Sequence, residues 1–144
     1  MNETVEISDK ILKDIQEHFK FLFDRGYVVY SGKTHSVEFD AWEVILKHQD
    51  FYVKFDEEKG GLDLSFGSPS KGFIAIRALI YFLSKEKDFI GFSLIRFIFF
   101  NVMKTEAKLL QKHIDKFESG FEREFPKSEE ELRLAEEKYY ARVR

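Results

Sequence analysis

The sequence contains no cysteine, only two prolines and eight glycines, and no apolar run long enough to cross a bilayer. Without cysteine, disulfide frameworks and thiolate chemistry are excluded, which is compatible with a reducing cytosol. The most apolar stretch, residues 89–103, is shorter than the roughly 20 residues that a membrane-spanning helix needs. Residues 1–10 carry acids where a signal peptide would carry basic residues. We therefore expect a cytoplasmic protein that does not bind membranes.

A dominant charge of one sign is also missing, because 23 basic and 26 acidic residues leave a net charge of -3. Such a balance provides no overall field that would attract nucleic acid or anionic lipid. What the chain does contain is aromatic residues, which make up 17% of it and include 17 phenylalanines. Its length of 144 residues and this composition predict a single domain over residues 1–144 with a core of large rings.

Between Trp42 and Gly67 apolar and polar residues alternate through three runs, which predicts a small antiparallel sheet. Turn residues at 48–50 and 56–61 separate the runs. One face of this sheet would carry Trp42, Val44, Leu46, Phe51, Val53, Phe55, Leu62, Leu64 and Phe66. The opposite face would carry Glu43, Lys47, Tyr52, Lys54, Asp56, Asp63 and Ser65, with Ile45 as its apolar exception.

A strand at residues 27–31 precedes these runs, followed by a polar turn at 32–34 and a short run at 37–39 that could pair next. The sheet would then have about four strands over residues 27–67. Short links between strands favour hairpins and an antiparallel arrangement.

Helical apolar spacing occurs on both sides of the predicted sheet. Ser8 and Asp9 mark the start of an amphipathic helix that ends near Asp24, just before Gly26. After the sheet, residues 73–83, 89–103 and 104–125 have helical patterns, although the second also fits a buried strand. The fold class is therefore α+β, with one helix before the sheet and three to four helices after it, packed on one face.

The C-terminal segment is a predicted helix of a different kind. Ser128 and Glu131 form a capping box, and acids precede bases as the helix dipole favours. Its apolar residues are scattered around the helical wheel. Residues 127–144 could therefore project from the body and dock on a partner or on a second copy of the chain.

Sequence motifs for catalysis and metal binding are missing. The histidines have no HExxH or other ligand spacing, and no serine lies in G-x-S-x-G. We accordingly assign no catalytic residue, no metal ligand and no cofactor. An enzyme remains the alternative if the fold assembles a site from dispersed residues. The candidates for such a site are His35, His48, Asp56 and Asp63.

A second alternative is weak nucleic-acid binding through the lysine ridge, which we define as Lys104, Lys108, Lys112 and Lys116 on the predicted helix 104–125. Lysines spaced every four residues could meet phosphates on successive helical turns. Asp115 and Glu122 fall near the same sector and reduce its positive charge. We therefore interpret the ridge as a solvated helix face.

From Gly26 to Leu83 the chain reads GYVVYSGK, VEFDAWEVIL and FYVKFDEEKGGLDLSFGSP, followed by an apolar helix. This order resembles small bacterial α+β proteins, some of them immunity proteins of polymorphic toxin systems. The resemblance implies a protein-binding inhibitor and supplies no catalytic or binding positions.

From this resemblance and the missing motifs we expect a non-enzymatic protein-binding module. The resemblance implies an immunity protein or inhibitor whose partner is a basic toxin. Its predicted binding residues are Tyr52, Asp56, Glu57 and Glu58. Acidic groups would speed the capture of a basic partner, and a tyrosine would slow its release.

Overall fold

The computed structural model describes residues 5–36, 41–58, 61–68, 72–84 and 102–124, together with Leu134 and Glu137. The helices and strands are β1 (Val5–Glu6), α1 (Asp9–His18), α2 (Lys20–Asp24), β2 (Val28–Ser36), β3 (Ala41–His48), β4 (Phe51–Glu58), β5 (Gly61–Ser68), β6 (Gly72–Ala75), α3 (Ile76–Ser84) and α4 (Val102–Glu124). No helix in these ranges combines the length and apolar character that crossing a membrane requires.

The strands form one sheet in which their spatial order, β1 to β6, follows their order in the chain. Strand β2 is antiparallel to β1 and to β3, β3 to β4, and β5 to β6. The α+β prediction is confirmed. The sheet has six strands in the described residues, more than the expected four. Five of them are four to nine residues long, and the sixth is the two-residue β1.

The chain divides into two compact units, Met1–Leu64 and Ser65–Arg144, with the boundary inside β5. The single domain expected over residues 1–144 stays a prediction.

In the first unit the predicted apolar face of the sheet is the buried one. The fully or nearly fully buried side chains on it are Trp42, Val44, Leu46, Val53, Phe55, Leu62 and Leu64. Phe51, at the end of the row, is only half-buried. The Phe19 ring packs edge-on against Phe55 with 4.7 Å between the ring centroids. Each fully buried side chain of this kind contributes about 1.5–3 kcal/mol to stability.

The N-terminal helix begins where the sequence predicts. Ser8 is its N-cap, and the Ser8 hydroxyl accepts a hydrogen bond from the Ile11 N–H at 3.4 Å. The single helix expected up to Asp24 is instead interrupted at Phe19, whose φ of -113° and ψ of 32° are not helical. Because Phe19 is fully buried, tertiary packing at this position outweighs the continuous helical pattern. Gly26, with a φ of 108°, follows α2 as predicted.

The polar turn predicted at residues 32–34 is wrong, because β2 continues through it to Ser36. Lys33 and Thr34 pair with β1 on one edge and with β3 on the other. Backbone hydrogen bonds on two edges offset the weak strand preference of this polar segment. The run at 37–39 lies outside the described residues. Strand β1 was not predicted because two residues are too few to show alternation.

In the second unit, α4 confirms the apolar stripe predicted for residues 104–125. Ala107, Leu110, Ile114 and Phe117 are all buried, and Phe117 lies against Phe66 with 5.4 Å between the ring centroids. The helix expected at 73–83 begins three residues later than predicted, because Gly72–Ala75 form β6 and pair with β5. A Cβ at Gly67 would collide with the Gly72 carbonyl oxygen, so this pairing requires glycine.

Two expectations fall mainly outside the described ranges. The segment 89–103 was predicted as a helix, with a strand as the alternative. Its residues 89–101 lie outside the described ranges, and its last two residues, Val102 and Met103, are the first two of α4. Within the predicted C-terminal helix, Leu134 and Glu137 are helical, and Leu134 is exposed.

Candidate functional site

Two β-bulges in β2 reshape the face of the sheet opposite Trp42 and Phe55, which we call the outer face. The pairing register with β3 shifts between Val29 and Ser31 and again between Thr34 and Ser36. The extra residues are therefore Tyr30 and His35. A bulge re-aims the side chain that it carries and is frequent beside functional sites. Both residues contact side chains of the outer face.

The first bulge builds an aromatic cluster. Tyr30 and Tyr52 meet edge to face with 5.3 Å between the ring centroids. The Lys47 ammonium lies 5.7 Å from the Tyr30 centroid and 5.6 Å from the Tyr52 centroid. Edge-to-face rings and a cation within about 6 Å are favourable arrangements. The three side chains therefore support one another in a defined geometry.

Tyr52 corrects an expectation, because alternation alone predicted that it faces solvent. It is only 8% exposed. Tyr30 and Lys47 pack against its ring and remove it from water. The exposed tyrosine of the cluster is Tyr30 instead, at 57%.

Tyr30 also ends a run of three exposed apolar residues, Val28–Tyr30, which we call the apolar strip. Val28 is 60% exposed and Val29 41%. Strand β1 pairs with β2 only at Lys33 and Thr34. Within the described part of the chain, no strand is therefore paired with that edge of β2 alongside the strip. Exposed apolar groups on such an edge are typical of interaction surfaces.

The second bulge brings His35 to a row of charged residues. Lys33 in β2, Glu43 in β3 and Asp56 in β4 are successive cross-strand partners. His35 Nε2 lies 3.9 Å from Glu43 Oε1, and Lys33 Nζ lies 3.6 Å from Glu43 Oε2. One nitrogen or oxygen atom from each of His35, Glu43 and Asp56 lies within 4.8 Å of the others. We call these three residues the His–Glu–Asp cluster.

The charges around Asp56 act on its carboxyl group in opposite directions. Burial raises the pKa of Asp56 above its ordinary value of 3.8, and the neighbouring Lys54 ammonium lowers it. Glu43 and Asp63 add to the rise, while His35 opposes it. Burial is the largest of these effects. A negative charge at Asp56 is therefore less favourable than on an isolated aspartate, and a cation near it would be stabilising.

The four residues predicted to bind a partner do not form one continuous patch. Asp56 lies on the outer face, whereas Glu57 is the cross-strand partner of Trp42 and accepts a hydrogen bond from the Trp42 indole N–H at 2.9 Å. Glu58 is exposed at the end of β4. Tyr52 is covered, as described above. The expected cluster of three acids is therefore split between the two faces of the sheet.

The residues considered for a dispersed enzyme site are partly brought together. His35 and Asp56 belong to the same cluster, and Asp63 influences the Asp56 carboxyl by its charge. His48 instead contacts the Tyr27 ring, with 5.2 Å between the ring centroids. Sequence reasoning missed Glu43 as a site residue. Alternation placed Glu43 and Asp56 on one face, but only the strand register shows that they are neighbours.

The lysine ridge lies where it was predicted. Lys104, Lys108, Lys112 and Lys116 are all exposed on α4. The position of these side chains is compatible with a solvated helix face.

Comparisons of the chain with models of protein families, with curated proteins and with solved structures found no match.

Proposed function

We propose that the chain is a non-enzymatic protein-binding module and that the partner binds at the start of β2. The observation that carries this proposal is the apolar strip. Val28, Val29 and Tyr30 are consecutive, large and exposed. Hydrophobic residues scattered singly over a surface need no explanation, whereas a contiguous group beside an unpaired edge is typical of a binding site.

The aromatic cluster supports this proposal because it holds Tyr30 in place before a partner arrives. Tyr30 rests against Tyr52 and Lys47. A tyrosine that is already ordered loses less conformational entropy on binding, and tyrosine is frequent among the residues that dominate binding energy. Tyr52 then acts as a support beneath the anchor.

The partner that we propose is a toxin, for which this chain is an immunity protein or inhibitor. The suggestion comes from the family resemblance of residues 26–83 and from the acidic residues on the outer face, Glu43 and Asp56. Both acids already have basic neighbours, since Lys33 lies near Glu43 and Lys54 Nζ lies 3.7 Å from Asp56 Oδ2. Electrostatic steering of a basic partner would therefore be modest, and the apolar strip would provide most of the affinity.

The proposal can be tested by purifying the chain with the product of the neighbouring gene and measuring binding rates by biolayer interferometry. Tyr30→Ala should raise the dissociation rate about tenfold or more, as expected for an anchor residue. Val28→Ser should do the same to a smaller extent. Asp56→Lys, Glu57→Lys and Tyr52→Ala test the residues predicted from the sequence. Asp56→Lys should slow association, because it reverses a charge on the outer face.

Leu134→Ala is the matched control, because Leu134 is also an exposed apolar residue but lies in the C-terminal segment. Its rates should equal those of the wild type. A stable complex with unchanged rates in Tyr30→Ala and Val28→Ser would contradict the proposed surface. If Leu134→Ala alone weakened binding, the C-terminal helix would be the binding element, and sedimentation at several concentrations would show whether a second copy of the chain binds there.

A further inference from the structure

The His–Glu–Asp cluster combines one imidazole and two carboxylates from three neighbouring strands. We propose that His35, Glu43 and Asp56 bind one divalent transition-metal ion of the zinc class, with water completing its coordination. The site is independent of the apolar strip and has a different kind of ligand. It also departs from the sequence analysis, which assigned no metal ligand.

The separations of the ligand atoms are close to those that a metal needs. Zinc bonds to histidine nitrogen and to carboxylate oxygen are about 2.0–2.2 Å long, so ligand atoms in a tetrahedral site lie roughly 3.3–3.5 Å apart. His35 Nε2 and Glu43 Oε1 are already 3.9 Å apart, and all three ligand atoms lie within 4.8 Å of one another. Side-chain rotations that move these atoms by about 1 Å would therefore complete the geometry.

The exposure of the side chains allows these rotations. The side chains of His35 and Asp56 are 45% and 42% exposed, whereas that of Glu43 is 16% exposed. Two ligands are therefore free to rotate towards a third that is held more firmly. The same exposure lets the ion enter from solvent and leaves room for bound water. Three protein ligands with an open position are also the arrangement of catalytic zinc sites rather than structural ones.

The backbone explains why these groups converge. Glu43 and Asp56 are directly opposed across β3 and β4, and the bulge between Thr34 and Ser36 supplies His35. Like charges opposite each other destabilise an antiparallel pair. A divalent cation between the two carboxylates would turn this repulsion into attraction. Ligands fixed on strands are also positioned more accurately than ligands on loops.

Two lysines compete with the proposed ion. Lys33 Nζ lies 3.6 Å from Glu43 Oε2, and Lys54 Nζ lies 3.7 Å from Asp56 Oδ2. Both distances exceed the roughly 2.7–2.9 Å of a charge-assisted hydrogen bond, so metal binding would displace loose contacts. The imidazole determines which ions are favoured, because Mg²⁺ and Ca²⁺ prefer sites built from oxygen alone, whereas zinc and its neighbours bind histidine well.

The test is isothermal titration calorimetry of the full chain with Zn²⁺ after treatment with a chelator and dialysis, supported by the absorption spectrum with Co²⁺. We expect one equivalent of Zn²⁺ to bind and Mg²⁺ to bind at least about tenfold more weakly. His35→Gln, Glu43→Gln and Asp56→Asn should each lower the Zn²⁺ affinity about tenfold or more. Lys54→Gln should raise it, because a competing cation is removed.

His18→Gln is the matched control. It also removes one imidazole, but from α1, where the His18 ring contacts the Asp14 carbonyl oxygen through Nδ1. It should keep the wild-type affinity, as should Tyr30→Ala in the apolar strip. Far-UV circular dichroism checks the folding of each variant. If Glu43→Gln does not fold, the test depends on His35→Gln and Asp56→Asn, which change more exposed side chains. The proposal is overturned if the wild type binds no Zn²⁺, or if His35→Gln binds it as tightly as the wild type does.

Discussion

Glu43 and Asp56 lie directly opposite each other on β3 and β4, with both carboxylates on the outer face of the sheet. Such opposed acids are unfavourable by themselves. Lys33 and Lys54 lie close enough to reduce the repulsion without forming short contacts. His35 joins the same group from β2. Within this group burial raises the pKa of the Asp56 carboxyl.

The first prediction concerns the pH dependence of stability through Asp56. Burial raises the pKa of Asp56 above 3.8 in the folded protein, so the folded state holds this proton more tightly than the unfolded state does. The contribution of Asp56 to the free energy of unfolding should therefore fall as the pH rises from about 3.8 through the raised pKa. Asp56→Asn removes this effect and should be the more stable protein at neutral pH.

Urea unfolding of both proteins between about pH 3 and pH 7, with chelator present, measures the difference. The advantage of Asp56→Asn should grow with pH. If the wild type instead gained stability relative to Asp56→Asn as the pH rose, attractive charges would outweigh burial at this carboxyl group.

The second prediction is that Phe55→Ala lowers the free energy of unfolding by about 3–5 kcal/mol. Phe55 is fully buried and lies edge-on against Phe19, so the change removes a large apolar group and leaves a cavity. Tyr30→Ala is the control on the same sheet, because Tyr30 is mostly exposed. It should cost about 1 kcal/mol or less. Equal losses in urea titration would show that the two faces of the sheet are wrongly assigned.

The third prediction concerns a buried ion pair in the second unit. Arg77 Nη2 donates to both carboxylate oxygens of Glu106 at 3.1 Å, and both residues are buried. Arg77→Met or Glu106→Leu alone would leave a buried charge behind and should cost about 3–5 kcal/mol. The double variant should cost much less than the sum of the two, because neither charge of this pair is then left buried without the other.

Thermal or urea unfolding of the four proteins forms a double-mutant cycle that measures this coupling. Strictly additive losses would mean that Arg77 and Glu106 act independently.

The fourth prediction is that the lysine ridge does not bind nucleic acid. Lys108→Glu combined with Lys112→Glu should leave the free energy of unfolding within about 1 kcal/mol of the wild type, because exposed charges contribute little. Fluorescence anisotropy with duplex and single-stranded nucleic acid at physiological salt should show no submicromolar binding by the wild type. Tight binding by the wild type that the double variant loses would contradict this prediction.

Much of the fold could be predicted because the relevant signals are local. Alternation identified Val44, Leu46 and Phe55 as core residues, and all three are buried. Ser8 marked the start of α1, and Gly26 followed α2 with a positive φ. Each of these inferences depends on neighbours within a few positions in the chain.

What the sequence by itself determined is therefore the α+β class, the buried face of the central strands and the apolar stripe of α4. Only the tertiary structure decided the candidate sites. Two bulges redirected Tyr30 and His35, and the pairing register brought Glu43 next to Asp56. The physical reason is that register and bulges arise from contacts between residues distant in the chain, and a shift of one residue moves a side chain to the opposite face.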